Sequence, residues 1–380
     1  MARAGTTIFT EMTELAQRTG AINLGQGFPD EDGSAVILDA AAAAIHGGHN
    51  QYAPLPGVPA LREAVADHQR RRYGLEPDPG AEVQVTFGAT EGLAATLLAL
   101  VAAGDDVLVL DPAYDSYAPI VRLAGGRVRP IALAPPDWRL DEAALRSALT
   151  PATRLLLLNS PHNPTGRVLD EAELELLARA CRDHDLIAVT DEVYEHLVYD
   201  GRHVPLATLP GMWERTLTVS SLGKTHSLTG WKVGWVTGPA ELVERVRTVK
   251  QFLSFAGGTP LQHAAAVAMA LPDDEIGALA HRLRGKRDRL AAGLREAGFA
   301  VLPSAGTYFL NADARELGYD DAARLCQALP QEAGVAAIPV SAFTATRDGP
   351  ARAVVRFAFC KRDEVLDAAV ERLHAWAGGK

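Results

Sequence analysis

The chain has 380 residues, 48% of them hydrophobic, a length that suits a large domain and a smaller one. A formal net charge of -10, with scattered lysine and arginine, gives no electrostatic reason for nucleic-acid or acidic-membrane binding. The three separated cysteines form no metal-ligand pattern, and residues 1–20 lack the apolar core of a signal peptide. We therefore expect a cytoplasmic protein with no bound metal and no membrane span.

Short apolar runs alternate with helical stretches from about residue 82, which is typical of a mostly parallel sheet covered by helices on both faces. Helices are predicted at residues 89–102 and at residues 171–184, the second with Asp170 as its N-cap. The predicted strands of this sheet are residues 83–87, 107–110, 127–132, 155–159, 187–191, 216–219 and 233–237.

The pattern changes after about residue 271. It predicts a long charged helix at 278–298, a strand pair around 308–312 and 354–359, and a last helix at 362–376. The predicted organisation has three parts: an N-terminal segment that packs with a smaller α+β domain, a large domain, and the smaller domain itself. These parts are residues 1–45, 46–270 and 271–380, respectively.

Unusual polar residues follow the predicted strands. Tyr114 follows one strand, Asn163 follows another and Asp191 closes a third. Ligands of open parallel sheets bind beyond the carboxyl ends of strands, so these side chains are candidates for a site. A carboxylate that ends an apolar strand needs a partner, although Asp191 could equally cap the next turn. Gly88-Ala89-Thr90 opens a helix after a strand, where backbone N–H groups favour an anion.

Two cations have sequence contexts that favour chemistry. Lys224 lies in a turn of small and hydroxylated residues, directly after a predicted strand. A lysine presented in this way can form a Schiff base with an aldehyde and carry a proton once it is freed. Arg356 lies within an apolar strand, where a buried guanidinium requires an anion and fits a carboxylate in bidentate geometry. A structural salt bridge is the alternative for Arg356.

Four motifs occur in a fixed order: Asn163-Pro164-Thr165-Gly166, Asp191-Glu192-Val193-Tyr194, the lysine turn, and Val355-Arg356-Phe357. Together they resemble the fold-type-I aminotransferases that use pyridoxal 5′-phosphate (PLP). The similar branch contains kynurenine, glutamine-phenylpyruvate, methionine and N-succinyldiaminopimelate aminotransferases, and the resemblance extends from Asn23 to Lys361. It implies an α/β fold of the PLP-transferase type, PLP as the cofactor, and ping-pong transfer of an amino group between an L-amino acid and a 2-oxo acid such as 2-oxoglutarate.

The same resemblance implies roles for individual residues. Lys224 corresponds to the catalytic lysine, Asp191 to the partner of the ring nitrogen, and Tyr194 to a contact of the ring's phenolic oxygen, together with Asn163. The remaining residues that it assigns to the cofactor are Gly88, Ala89, Thr90, Tyr114, Ser221 and Lys232.

The resemblance also covers the substrate and the partner. It implies that Arg356 binds the α-carboxylate, with Asn163 and the backbone near Gly27, and that Phe28 lines the pocket. Tyr52 resembles a tyrosine that reaches the phosphate in a partner subunit, which implies a homodimer with shared sites.

Other classes of protein fit the sequence less well. Gly223-Lys224-Thr225 resembles the end of a phosphate-binding loop, but Thr218 stands where that motif needs glycine. No GxGxxG follows a predicted strand, which argues against a nicotinamide dehydrogenase, and no helix-turn-helix region indicates a transcription-regulator sensor. A C–S β-lyase stays open, because the same carbanion at the substrate's Cα leads to either outcome.

The amino donor is indicated by the segment before Thr259. Gly257-Gly258 stand where kynurenine-type members carry an aromatic residue and a histidine, so we expect an enlarged pocket. This segment, with residues 305–310 and 360–363, is more similar to bacterial N-succinyldiaminopimelate aminotransferases. The alternative is a kynurenine, glutamine or methionine aminotransferase with C–S β-lyase activity.

Overall fold

The protein is described by a computed structural model that covers residues 7–379. The helices in this range are α1 (Ile8–Thr19), α2 (Ala35–His46), α3 (Pro59–Tyr73), α4 (Gly88–Leu100), α5 (Tyr117–Leu123), α6 (Glu142–Ala148), α7 (Glu171–Asp183), α8 (Leu222–Thr225), α9 (Ala240–Leu253), α10 (Thr259–Met269), α11 (Asp273–Glu296), α12 (Ala322–Glu332) and α13 (Asp363–Gly378). The strands are β1 (Ile22–Asn23), β2 (Val83–Phe87), β3 (Asp106–Asp111), β4 (Arg127–Ala132), β5 (Thr153–Asn159), β6 (Ile187–Asp191), β7 (Thr216–Ser221), β8 (Val233–Thr237), β9 (Ala300–Val301), β10 (Phe309–Asp313), β11 (Val335–Ala336), β12 (Ile338–Pro339) and β13 (Val354–Ala358). Among these helices, none has both the length and the apolar character to cross a bilayer.

The large sheet has seven strands in the order β2-β8-β7-β6-β5-β3-β4. Strand β8 runs antiparallel to the other six strands, which confirms the predicted mostly parallel sheet. Its central strands are apolar on both faces because helices cover both. Leu156 and Leu158 pack in a core with α7, whereas Leu155 and Leu157 pack on the opposite side with α4.

The smaller sheet is antiparallel, in the order β12-β13-β10-β9, and contains more strands than the predicted pair. Strands β9 and β12 have two residues each, too few for a periodic signal in the sequence. Met12 and Leu15 of α1 pack in the same core as Leu325 and Leu329 of α12, so the start of the described chain contacts this smaller unit.

The next helix packs elsewhere. Ile37 and Ala41 of α2 share a core with Ala264 and Ala268 of α10, beside the large sheet. This packing favours assigning α2 to the large domain rather than to the segment 1–45. The limits at residues 45 and 270 stay a prediction, and residues 1–6 and 380 of the predicted parts lie outside the described range.

Two helix ends illustrate how local chemistry determines where a helix begins. Helix α7 begins as predicted, because the Asp170 side chain accepts the Glu173 N–H while the Glu173 carboxylate accepts the Asp170 N–H, a capping box. Helix α11 begins at Asp273, five residues before the predicted start. Its first turn is Asp273-Asp274-Glu275, and acidic residues stabilise the positive end of the helix dipole.

Candidate active site

A cavity of about 270 Å³ lies beyond the carboxyl ends of the central strands. This volume is close to the lower limit of small-molecule sites, roughly 300 Å³. The structure brings most of the predicted site residues to its walls, although they come from distant parts of the chain. The predicted residues that line it are Gly27, Gly88, Ala89, Thr90, Tyr114, Asn163, Asp191, Tyr194, Ser221, Lys224, Lys232 and Arg356.

Lys224 lies in the short helix α8, directly after β7. Its Nζ is 5.7 Å from the ring centroid of Tyr194 and 5.6 Å from that of Tyr308. Burial lowers the pKa of the Lys224 ammonium, so the neutral amine forms more readily than on a solvated lysine. A neutral lysine amine is the form that attacks an aldehyde and the form that accepts a proton.

Asp191 is the last residue of β6 and is buried. Its Oδ2 accepts a hydrogen bond from the Tyr117 hydroxyl at 2.7 Å, and its Oδ1 accepts the Val193 N–H at 3.4 Å. Burial nevertheless raises the pKa of this carboxyl to about 6. A buried carboxylate that faces a cavity is stabilised by a cation there, and the protonated nitrogen of a pyridine ring supplies one.

Another part of the cavity wall fits an anion. Residues 88–90 form the first turn of α4, whose backbone N–H groups have no partners within the helix. Lys232 Nζ lies 3.5 Å from Thr90 Oγ1, which brings a cation to the same turn. Gly234 allows β8 to lie this close to the start of α4, since a Cβ on it would lie 2.6 Å from the Gly88 carbonyl carbon. Backbone donors, a lysine and the Ser221 hydroxyl suit a phosphate group.

Arg356 is fully buried in β13. Its Nη1 donates to Asn163 Oδ1 at 2.8 Å and its Nη2 donates to the Gly25 carbonyl at 3.0 Å, both neutral oxygens. Within residues 7–379 its Nε has no hydrogen-bond partner. Burial lowers the pKa of the guanidinium to about 10, so it stays charged at neutral pH. A buried cation that lines a cavity and whose hydrogen bonds go to neutral oxygens fits a substrate carboxylate.

Gly27 and Phe28 separate in the structure. Gly27 lines the cavity, and a Cβ on it would lie 2.4 Å from Phe309 Cζ, so only glycine fits there. Phe28 is 46% exposed and lies outside the lining, with its ring 4.5 Å from Lys361 Nζ. Its predicted place in the pocket wall is therefore not supported by the geometry of a single chain.

Tyr52 also lies outside the lining, with 80% of its surface exposed. Its ring contacts Phe255 edge-on at 5.7 Å. The glycines at 257 and 258 lie near this region rather than in the cavity of their own chain. A Cβ on Gly257 would lie 2.2 Å from Phe87 Cζ, so this glycine fits against a ring. These glycines do not line the cavity of a single chain, and their effect on a substrate pocket shared between two subunits stays a prediction.

Several lining residues were missed by the sequence reasoning. Asn159 and Tyr117 both contact Asp191, and Gln26 and Phe309 line the cavity as well. Asn159 ends an apolar strand just as Asp191 does, so the same rule could have found it. Tyr117 opens α5 three residues after Tyr114, a spacing that brings both rings to one side of a helical turn.

A second polar cluster lies away from the cavity and has the geometry of a hydrogen-bond network. His68 Nε2 and His196 Nε2 are 2.9 Å apart, a hydrogen-bond separation. The Glu195 carboxylate accepts hydrogen bonds from Tyr73 and Ser220, each at 2.6 Å. Burial lowers the pKa of His196 to about 3, so its imidazole is neutral. The cluster contacts β7 through Ser220, and among the described residues the Nδ1 atom of His68 is its one buried polar atom without a hydrogen-bond partner.

Fold and site together define an enzyme that binds a phosphorylated pyridine aldehyde. Comparison with known proteins indicates the same class of enzyme. The sequence profile of the class I and II aminotransferases matches residues 19–373. A probable N-succinyldiaminopimelate aminotransferase, DapC, of Mycobacterium tuberculosis is 53% identical, over 98% of this chain and 96% of its own. The methionine aminotransferase of Escherichia coli is 44% identical, over 97% and 95%.

The fold of the chain is also similar to that of a solved structure. The N-succinyldiaminopimelate aminotransferase of Mycobacterium tuberculosis has a TM-score of 0.95 at 54% identity, with 98% of this chain and 97% of that chain covered. The chain belongs to the class I and II aminotransferases. It is an aminotransferase of the fold-type-I class and its cofactor is PLP.

Proposed function

We propose that this aminotransferase moves the amino group of an N-succinyldiaminopimelate-like donor to 2-oxoglutarate. The observation that carries the choice of donor is identity along the whole chain. The sequence identity is 53% with the probable N-succinyldiaminopimelate aminotransferase of Mycobacterium tuberculosis and 44% with the Escherichia coli methionine aminotransferase. The amino acid and the 2-oxo acid are small-molecule substrates, and both offer a carboxylate to Arg356.

We assign the cofactor's contacts from the geometry of the cavity. Residues 88–90, Ser221 and Lys232 would hold the phosphate, and Asp191 would hold the ring nitrogen. Tyr114 would cover the ring, and Asn163 and Tyr194 would contact the phenolic oxygen. When bound, PLP supplies an electron sink for the electron pair left at the substrate's Cα. Support for this set is that every member lines one cavity, whose wall contains both a turn suited to an anion and a buried carboxylate.

The protein's own residues orient the substrate and move the proton. Arg356 would bind the α-carboxylate, which fixes how the Cα–H bond faces the cavity. Lys224 would accept the proton from Cα and return it during transfer, because burial favours its neutral amine. The aromatic rings of Tyr194 and Tyr308 would lie beside Nζ during that step.

We further propose a homodimer with shared sites. Phe252 is 82% exposed and Tyr52 is 80% exposed, and Phe255 joins them in one region of the surface. Exposed aromatic groups of this kind are typical of a protein interface. Tyr52 would contact the phosphate bound in the partner subunit.

We place the enzyme in the cytoplasm because Cys181, Cys326 and Cys360 are free thiols.

A methionine-type aminotransferase with C–S β-lyase activity is the second candidate. The 44% identity with the Escherichia coli methionine aminotransferase supports the transamination part of this candidate. The two candidates differ in the donor that fits the cavity and in the fate of a β-substituent.

A donor panel with the holoenzyme separates these candidates. We expect kcat/KM with 2-oxoglutarate to be at least about 10-fold higher for N-succinyl-LL-2,6-diaminopimelate than for methionine or kynurenine. The Lys224→Ala variant gives the background rate. A preference for methionine, or release of pyruvate from a cysteine conjugate faster than transamination, would instead support the second candidate.

A further inference from the structure

Tyr117 contacts Asp191 from a rigid position in the core. It is the first residue of α5 and its side chain is buried. Its ring packs in the core that contains Val109 and Leu155 of the central strands. The ring also meets Tyr114 edge-on, at 5.5 Å and 81°. The hydroxyl is therefore held at a fixed place relative to the sheet.

The hydroxyl donates to one particular oxygen of Asp191. The Tyr117 hydroxyl lies 2.7 Å from Oδ2, whereas Oδ1 has only a longer bond, 3.4 Å, from the Val193 N–H. Burial, and next the charge of Asp191, raise the pKa of Tyr117 well above its usual value. The phenol therefore stays protonated over the pH range of an enzyme and always acts as the donor. A donor of this kind stabilises the ionised carboxylate.

We propose that Tyr117 is a positioning residue, a proposal that rests on the proposed pairing of Asp191 with the ring nitrogen. Its hydroxyl holds the Asp191 carboxylate in the orientation that faces the cavity and thereby strengthens binding of PLP. Tyr117 and Asp191 both line that cavity, so the bond lies at its wall. The proposal concerns the cofactor and is independent of which amino donor the enzyme uses.

The test begins with cofactor binding to the cofactor-free protein, measured by equilibrium dialysis without any amino donor. Tyr117→Phe keeps the ring in the core and removes only the hydroxyl. A hydrogen bond to a charged group is lost, so we expect the dissociation constant of PLP to rise by about 10-fold or more. Tyr73→Phe is the matched control, because the hydroxyl of the partly buried Tyr73 donates to the Glu195 carboxylate outside the cavity. It should leave PLP affinity unchanged.

A double-mutant cycle tests whether Tyr117 acts through Asp191. In an Asp191→Ala background, Tyr117→Phe should change the dissociation constant of PLP by less than about 2-fold. An equal loss in both backgrounds, or no loss in the wild-type background, would overturn the proposal. Tyr117→Met offers a second variant without the donor should the phenylalanine variant not fold.

A readout without cofactor separates this proposal from the assignment of Asp191. Carbon-13 NMR of the aspartate carboxyl groups in the cofactor-free protein follows the titration of Asp191, identified by its loss in Asp191→Asn. Tyr117→Phe should move that titration to higher pH, and Tyr73→Phe should not. An unmoved titration contradicts the role of Tyr117. A moved titration with unchanged PLP affinity contradicts the pairing of Asp191 with the cofactor, and with it the proposed positioning role.

Discussion

Asn159 and Asp191 are paired in register at the carboxyl ends of the adjacent parallel strands β5 and β6. Asn159 Nδ2 donates to the Asp191 carbonyl at 2.8 Å, and its Oδ1 accepts the Asn163 N–H at 2.7 Å. One buried amide therefore joins the two segments that carry the proposed ring contacts. The separation between Asn163 and Asp191 is set by the register of the sheet rather than by a loose loop.

The pKa of Asp191 predicts a pH dependence of stability in the cofactor-free protein. Burial raises the pKa from 3.8 to about 6, so the folded chain binds this proton more strongly than the unfolded chain. Stability is lost as the carboxyl ionises with rising pH. Asp191→Asn removes that titration, and its free energy of unfolding relative to wild type should increase by about 1 kcal/mol between pH 5 and pH 7. Urea unfolding measures this, and a difference independent of pH would argue against it.

Arg356→Ala should weaken every amino donor. The variant loses a charge-assisted bidentate contact and leaves the substrate carboxylate unpaired in the site, which costs about 2–5 kcal/mol. We expect kcat/KM to fall by about 10- to 1000-fold or more for all donors, while the protein keeps its PLP. Arg352→Ala is the control, because Arg352 is partly exposed and pairs with Asp321. Equal kcat/KM values for wild type and Arg356→Ala would contradict the proposal that Arg356 binds the α-carboxylate.

Lys232→Ala should discriminate between PLP and pyridoxal, which lacks the phosphate. If Lys232 binds the phosphate, its loss should weaken PLP binding by about 10-fold and leave pyridoxal binding unchanged. Lys286→Ala is the control, because Lys286 bonds Glu31 and the Lys361 carbonyl instead. Similar losses for both ligands would show that Lys232 does not act on the phosphate.

The exposed aromatic region predicts self-association. Wild-type protein should sediment as a dimer at assay concentration, and Phe252→Glu should raise the dimer dissociation constant by at least about 10-fold. Leu123→Glu changes an equally exposed apolar residue, 79% exposed, at the end of α5 and should leave the dimer intact. A fully active monomer would contradict the proposed sharing of sites through Tyr52.

The central strands could be predicted closely because their residues are apolar on both faces and are bounded by glycine and proline. The run Leu155 to Leu158, for example, reads as a strand without any knowledge of its partners. The two-residue strands β9 and β12 could not be predicted in this way. They exist because β10 and β13 offer them hydrogen bonds, and that information lies elsewhere in the chain.

Site residues could be predicted where a polar side chain stands at the end of a strand or within a recognisable motif, as with Lys224, Asp191 and Asn163. Tyr117 was missed because its role depends on the distance to Asp191, 74 residues along the chain. The contact of Gly257 with Phe87 could not be predicted, because nothing in the local sequence indicates it. Long-range contacts of this kind follow from the order of strands in the sheet, which the sequence pattern does not determine.

The most direct test of the central claim is to locate the lysine that carries PLP. The holoenzyme is reduced with borohydride and digested, and the peptides are mapped by mass spectrometry. We predict a phosphopyridoxyl group on the peptide that contains Lys224, and its complete loss in Lys224→Ala together with a fall in transamination by several orders of magnitude. Lys286→Arg should keep the adduct. A phosphopyridoxyl group on another lysine, or near-normal turnover of Lys224→Ala, would contradict the account.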